Sequence, residues 1–194
     1  MGRRKRVQWS ADDLALSTAV ERAQDGDEAA FSALYRAVQP GLDGYLRGLV
    51  GEGADQVAAA VWREIARDLA RFRGDGNGFR GWTANIARRH VRRHRRQRGV
   101  PSRPAKGLTD RSALAPVDAA ADGAWISCLP NAQAEVILLR HAVRLDERAA
   151  ARVLGRPKLV VRVLERRGLK SLAGFLDTRD ATLTAATRRL GEQG

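Results

Sequence analysis

FRGWTANIARRHVRRHRR, residues 79–96, is the stretch of sequence from which the fold of this chain follows. Its apolar residues Phe79, Trp82, Ile86 and Val91 recur at steps of three to five, which is close to the spacing of one helix face. Beyond them the sequence becomes almost entirely arginine. The stretch therefore predicts a helix that buries one face in a core and ends in a dense positive charge.

Helical spacing of apolar residues extends over most of the chain. Ser10 is the predicted N-cap of a first helix and Asp27 that of a second, which we expect to stop at Pro40. A third helix is expected over residues 42–50 and a fourth over 57–72, each with apolar steps of three and four. The predicted fold class is all-α.

The prolines divide the chain into two helical blocks. Three of the six prolines fall between residues 99 and 116, where the helical pattern stops. We therefore predict a first domain over 10–98, a flexible linker over 99–123 and a second helical domain over 124–176. The tail, 177–194, is polar and is expected to be either a frayed helix or disordered.

The overall composition favours a polyanionic partner. The chain of 194 residues carries 35 Lys and Arg against 22 Asp and Glu, a formal net charge of +13. That excess fits DNA, RNA, an anionic membrane surface or an acidic protein. Cys128 is the only cysteine, which excludes an intramolecular disulfide and a cysteine-based zinc cluster. With no apolar signal segment after Arg6 and no membrane-length apolar run, we expect a cytoplasmic protein that is not a membrane protein.

The distribution of the arginines points to nucleic acid. Seven arginines lie between Arg88 and Arg98, too many to share one stripe of a helix. Compensation of the helix dipole requires only one or two cations, so contact with phosphates is the better explanation. Immediately before them, residues 79–85 mix aromatic, basic and amide side chains, which suits stacking and hydrogen bonding with single-stranded bases. Burial of Phe79 and Trp82 in the core is an equally good interpretation of the same spacing.

A second motif, over residues 147–166, has the pattern of a helix-turn-helix. Ala151 would allow two helices to approach closely, Gly155 would supply a left-handed turn, and Val161 would anchor the second helix. We expect that helix to begin at about Pro157. Its exposed face, including the turn, would present Arg156, Lys158, Arg162, Glu165 and Arg166 to the major groove and to phosphates.

Candidates for enzyme chemistry are weak. Asp12-Asp13 and Asp146-Glu147 are explained most simply as helix caps. His90 and His94 are four residues apart and could share a metal, but the surrounding arginines repel a cation. A nuclease remains an alternative, although we expect no catalytic residue, metal, cofactor or small-molecule substrate.

Five segments together resemble a known family, the extracytoplasmic-function (ECF) sigma factors of bacterial RNA polymerase. Residues 62–75 (WREIARDLARFRGD) with 79–82 (FRGW), and 27–35 (DEAAFSALY), are similar to the promoter-melting domain, most closely in its actinobacterial members. Residues 129–140 (LPNAQAEVILLR) and 161–164 (VRVL) are similar to the domain that reads the upstream promoter element. The likeness runs in order along roughly residues 20–173.

The resemblance implies an alternative sigma factor, with core RNA polymerase, promoter DNA and an anti-sigma factor as partners and no chemistry of its own. It implies contacts with the downstream promoter element by Asn77, Phe79, Arg80, Trp82, Thr83, Asn85, Arg88, Arg89, Arg92, Arg93, Arg95 and Arg96. Arg156, Lys158, Arg162, Glu165, Arg166 and Arg167 would contact the upstream element. Asp55, Gln56, Ala59 and Arg63 would bind the polymerase clamp.

Two departures from the family pattern leave an alternative open. Where the clamp-docking helix of the family is usually acidic and amide-rich, this chain has alanine at positions 58–60. Arg93 also stands where the family commonly has aspartate. A sigma-like DNA-binding regulator that no longer engages polymerase productively would show the same sequence features.

Overall fold

The computed structural model describes residues 11–98, 126 and 128–191, with side chains up to residue 176. Within those ranges the chain forms helices and short connections and no strand, which confirms the all-α prediction. Ser10 and the predicted linker, 99–123, lie outside them. Residues 11–98 are called the first unit below, and residues 126 and 128–191 the second unit.

Two long helices begin the first unit. Helix α1 spans Ala11–Gln24 and helix α2 spans Glu28–Val50. Asp27 is the N-cap of α2 as predicted, and its carboxylate accepts a hydrogen bond of 2.9 Å from the amide of Ala30. The buried face of α2 repeats at the spacing of one helical stripe and comprises Ala30, Leu34, Val38, Leu42, Tyr45, Leu46 and Leu49.

The prediction that a helix stops at Pro40 is wrong, because α2 continues through that residue. Proline removes one backbone hydrogen bond and crowds the preceding turn, which usually ends or kinks a helix. Here Pro40 lies on the exposed face, while Val38 and Leu42 on either side are almost completely buried. Burial on both sides stabilises the helix across the missing hydrogen bond.

The basic helix follows a shorter one. Helix α3 spans Ala54–Asp68 and ends in a 3-10 turn over Leu69–Arg71. Helix α4 spans Gly76–Gln97. Its N-cap is Asp75, whose side chain accepts a hydrogen bond of 2.6 Å from the amide of Gly78. Residues 76–78, two of which are glycines, therefore form the first turn of α4.

The second unit contains the predicted helix-turn-helix. Helix α5 spans Asn131–Ile137 and continues into a π-helical turn over Leu138–Ala142. Helix α6 spans Glu147–Leu154, and helix α7 spans Lys158–Gly191. The backbone of α7 thus continues as a helix through most of the segment expected to be a tail.

The two units pack against each other. Helices α2 and α4 contact α5, its π-helical turn and α6, and the buried apolar residues of both units form one cluster. The largest fully buried side chains include Tyr45 and Phe79 from the first unit and Leu139 and Leu145 from the second. The boundaries given above for the two domains stay a prediction.

Candidate nucleic-acid and polymerase surfaces

The aromatic residues at the start of α4 form a cluster with the segment before it. The ring of Phe79 lies 5.5 Å from that of Phe72 and 5.7 Å from that of Trp82, centroid to centroid. Phe79 and Thr83 are completely buried, and the Thr83 hydroxyl donates to the carbonyl of Arg80 at 2.9 Å. In this structure both side chains therefore lie in the core, where the helical spacing also placed Phe79, and their contact with DNA stays a prediction. Trp82 and Asn85 are half-buried.

The outer face of α4 carries the exposed cations. Arg92, Arg93 and Arg96 are exposed along its C-terminal half. Arg89 is also exposed but pairs with Glu64 of α3. Because three of the four side chains on this face have no carboxylate partner among the described ion pairs, α4 presents a surface that can bind phosphates.

Glu64 of α3 forms side-chain contacts with α4. Its carboxylate contacts Arg89 and lies 2.7 Å from the Nε2 atom of His90. Burial acts to raise the pKa of Glu64, but hydrogen bonds from His90 and Arg89 outweigh that effect and lower it. The two helices are therefore joined by an ionised carboxylate beneath the arginine face.

Four of the predicted downstream-element residues turn toward other parts of the protein. Arg88 donates to the Glu135 carboxylate at 2.7 Å and to the carbonyl of Val153 at 3.1 Å. Each of the other three contacts one partner residue: Asn77 donates to Asp146 at 3.1 Å, Arg95 to Asn131 at 3.3 Å, and Arg80 lies 3.7 Å from Asp13.

The helix-turn-helix has the geometry that its three-residue pattern predicts. Asp146 is the N-cap of α6, and Gly155 ends this helix with φ of 64°, a left-handed conformation that favours glycine. Ala151 and Val161 are buried between the two helices. At Asp146, burial acts to raise the carboxyl pKa, and hydrogen bonds from the Ala149 amide and the Asn77 side chain lower it.

The first turns of α7 expose the side chains predicted to read DNA, with one exception. Exposed are Arg156, Lys158, Arg162, Arg166 and Arg167. Arg162 pairs with Glu147 at 3.1 Å on the surface. The exception is Glu165, whose carboxylate accepts from Arg140, in the π-helical turn after α5, at 3.1 Å. In this position Glu165 joins α7 to the π-helical turn.

Sequence reasoning missed two apolar side chains on the same helix. Leu159 is 67% exposed and Val163 is 38% exposed, beside Lys158 and Arg162. An exposed aliphatic side chain among cations on a recognition helix is suited to contact a thymine methyl group. The sequence did contain a signal for them, because Leu159 and Val163 are apolar but do not belong to the buried helix face that includes Val161.

The predicted polymerase-binding residues share the exposed side of α3. Asp55, Gln56, Ala59 and Arg63 are all exposed, and Asp55 accepts from Arg47 of α2 at 2.9 Å. Ala58, in contrast, is buried in the core. An acidic side chain at position 58 would point inward in this fold, so the alanine there does not remove charge from the surface.

The two histidines that could share a metal have different surroundings. His90 contacts Glu64, whereas the Nε2 atom of His94 is buried without a hydrogen-bond partner. Across the ranges that the structure describes, no three His, Cys, Asp or Glu residues are grouped as metal ligands, and no helix is long and apolar enough to cross a bilayer.

Comparison with known proteins shows to which class of protein this chain belongs. Residues 34–100 match sigma-70 region 2. The ECF RNA polymerase sigma factor ShbA of Streptomyces griseus is 30% identical over 179 residues, covering 81% of this chain and 93% of ShbA. The ECF RNA polymerase sigma factor BldN of Streptomyces coelicolor is 25% identical over 184 residues, covering 89% of this chain and 70% of BldN.

A solved structure has a similar fold. The structure of CnrH in complex with the cytosolic domain of CnrY matches with a TM-score of 0.60 at 20% identity, covering 84% of this chain and 98% of CnrH. At that identity the likeness concerns the fold. The chain is a sigma-70-type transcription factor. Within that class it belongs to the family of ECF RNA polymerase sigma factors, which confirms the resemblance found in the sequence.

Proposed function

We propose that this chain binds core RNA polymerase, directs it to a set of promoters and initiates transcription there. The observation that carries the proposal is the relationship to ShbA over 93% of that sigma factor. This chain combines a basic helix and a helix-turn-helix. A sigma factor places promoter DNA in the polymerase, so the chain needs no catalytic residue, and we assign it none. The same role places it in the cytoplasm with the polymerase.

Helix α4 is assigned to the downstream promoter element. Its exposed Arg92, Arg93 and Arg96 are suited to phosphates, and Trp82 and Asn85 at its N-terminal end to unpaired bases. Extraction of a base from the duplex costs on the order of a few kcal/mol, which a preformed pocket can offset. Asn77, Arg80, Arg88 and Arg95 complete this surface once their intramolecular partners are released.

Helix α7 is assigned to the upstream promoter element. Lys158, Arg162 and Arg166 project from its first turns, where a recognition helix meets base edges and phosphates. Leu159 and Val163 on the same turns would contact thymine methyl groups in the major groove. The upstream sequence is therefore read by a mixed surface of cations and aliphatic groups.

Helix α3 is assigned to the clamp of the polymerase, through Asp55, Gln56, Ala59 and Arg63. Burial of Ala58 explains one of the three alanines without loss of a docking surface. The likeness to two ECF RNA polymerase sigma factors does not favour the alternative, a DNA-binding regulator that no longer engages polymerase. An anti-sigma protein is proposed as a further partner, on the strength of family membership alone.

Run-off transcription tests the proposal. Core polymerase is incubated with a genomic DNA library, with and without this protein, at one salt concentration. We expect new start sites preceded by a shared motif in two parts. No new transcripts, together with failure of the chain to bind core polymerase, would overturn the proposal and leave the DNA-binding regulator.

A further inference from the structure

A cavity of about 300 Å³ lies between α2, the start of α4 and the π-helical turn of the second unit. Its apolar lining includes Ala37 and Pro40 of α2. Its ionisable lining is entirely basic and consists of Arg80, His141 and Arg144, and no aspartate or glutamate is among the described residues that line it. Cationic groups around a cavity with no lining carboxylate favour an anionic ligand.

The walls of the cavity touch at one point. A Cβ atom at Gly41 of α2 would lie 2.7 Å from the carbonyl oxygen of Ala142, whereas a Cβ atom at Gly44 would lie 3.4 Å from that of Ala142, an ordinary contact. Gly41 therefore lets the backbone of α2 come close to the π-helical turn, because a larger side chain would not fit there. This close contact fixes the spacing of the two walls.

The guanidinium of Arg80 lies in the cavity lining and lacks close acceptors. Its side chain is 11% exposed, and in its one described ion pair the carboxylate oxygen of Asp13 lies 3.7 Å from its Nε atom. That distance is too long for a hydrogen bond. A guanidinium has five N–H donors, and its burial costs free energy unless those donors find acceptors. The oxygen atoms of an anion in the cavity would supply them.

Arg144 brings a second guanidinium to the same cavity. It lies in the connection before α6, is exposed, and takes part in none of the described ion pairs. Its backbone φ of 61° is in the left-handed region, where a residue other than glycine is uncommon. Backbone strain of this kind is concentrated at ligand-binding and active sites. Contact of its guanidinium with a ligand would explain why an arginine stands at this position.

His141 is held at the cavity by a carboxylate that lies outside it. The Nε2 atom of His141 is 3.1 Å from Glu165, which also pairs with Arg140. Neither Glu165 nor Asp13 lines the cavity. The two carboxylates therefore position cationic groups without occupying the space that an anion would take.

The lining is suited to a phosphate group. A guanidinium donates two parallel hydrogen bonds to phosphate or carboxylate, and two guanidiniums with an imidazole match a doubly charged phosphate better than a singly charged carboxylate. The cavity has about ten times the roughly 30 Å³ of a water molecule, which leaves room for more than one phosphate. We propose that it binds a small molecule with a phosphate or diphosphate group, held by Arg80 and Arg144 with His141 beside them. Promoter recognition does not require this site.

Isothermal titration calorimetry of the full-length chain with inorganic pyrophosphate tests the site at constant ionic strength. Because a chain of net charge +13 attracts any anion, matched variants decide the result. Arg144→Gln removes a cation from the cavity, and Arg148→Gln removes an exposed cation four residues away that does not line it. One hydrogen bond to a charged group corresponds to about tenfold in affinity. We expect that loss for Arg144→Gln and wild-type affinity for Arg148→Gln.

A second pair of variants tests the cavity without a change of charge. Ala37→Leu places a larger side chain in the lining, and leucine is almost as favourable in a helix as alanine. Ala29→Leu makes the same change at an exposed position of α2 outside the cavity. We expect Ala37→Leu to bind pyrophosphate more weakly than the wild type and Ala29→Leu to bind it equally well. Circular dichroism checks that both chains are folded.

Several results would overturn the site. Absence of pyrophosphate binding by the wild type would do so, and equal weakening by Arg144→Gln and Arg148→Gln would show attraction by net charge alone. Unchanged binding by Ala37→Leu would place the anion elsewhere on the surface. If the wild type binds no pyrophosphate and Arg144→Gln weakens promoter binding, the cavity serves DNA phosphates instead. The titration uses neither polymerase nor DNA, so run-off transcription decides the sigma-factor function separately.

Discussion

For Phe79, the same stretch of sequence supports two different predictions. Its aromatic ring beside arginines suggested stacking with a base, and its spacing from Trp82 and Ile86 suggested the core. Complete burial between Phe72 and Trp82 settles its place in this structure. The spacing pattern alone does not show whether the ring is enclosed by other side chains, and that enclosure decides between the two predictions.

Phe79→Ala is therefore expected to destabilise the protein by about 3–5 kcal/mol, the usual cost of a large aromatic removed from a core. Chemical denaturation measures this cost. Arg93→Ala, at an exposed position of the same helix, should change stability by no more than about 0.5 kcal/mol. A Phe79→Ala chain of wild-type stability that fails to open promoters would return Phe79 to the DNA surface.

Glu64 predicts a pH dependence of stability. The pKa of its carboxyl is lowered in the folded state from an ordinary value of 4.5, so its stabilising contribution is present above that value. The contribution is lost as the pH falls through the folded pKa. Glu64→Gln should lower the Tm at pH 7, and the difference from the wild type should shrink in acid. Glu52→Gln, the same change at an exposed position, should show no such pattern.

At the scale of the helices, substitutions in α4 and in α7 are expected to change DNA binding in different ways. Replacement of Arg95 and Arg96 should weaken binding to all promoters and reduce the salt slope by about 0.9 for each phosphate that the variant no longer neutralises. Replacement of Arg162 and Arg166 should reduce discrimination between upstream sequences. Competition binding at several salt concentrations measures both effects. Equally weakened binding to all sequences for both pairs would reject the division between the two helices.

The aliphatic side chains of α7 give a sharper test of the same helix. Replacement of thymine by uracil in the upstream element removes one methyl group, whose burial contributes about 0.8 kcal/mol, or roughly fourfold in affinity. We expect the wild type to bind the uracil element more weakly than the thymine element by that factor. Leu159→Ala should bind the two elements with equal affinity. Leu169→Ala, also on the exposed surface of α7 but nearly three turns away, should behave like the wild type. Additive effects of Leu159→Ala and uracil would exclude the contact.

At the scale of the whole molecule, the two units share one core. A shared core should unfold in one cooperative transition, with equal calorimetric and van't Hoff enthalpies. Gly41→Ala weakens the contact between α2 and the π-helical turn, so its thermal transition should broaden or split in two. Gly44→Ala should keep a single transition. Splitting in the wild type would mean that the units are already independent.

The order of residues along the chain was sufficient to predict the helical class, the helix caps at Asp27 and Asp146, the glycine turn at Gly155 and the family. These features depend on residues that are neighbours in sequence, where spacing and side-chain type are enough. Continuation of α2 through Pro40 and the contacts of Arg88 with Glu135 and of Asn77 with Asp146 became visible only in three dimensions. For Phe79, the structure decided between the two positions that the sequence had left open. Those outcomes depend on packing and on pairs 47 and 69 residues apart, which no local pattern of sequence specifies.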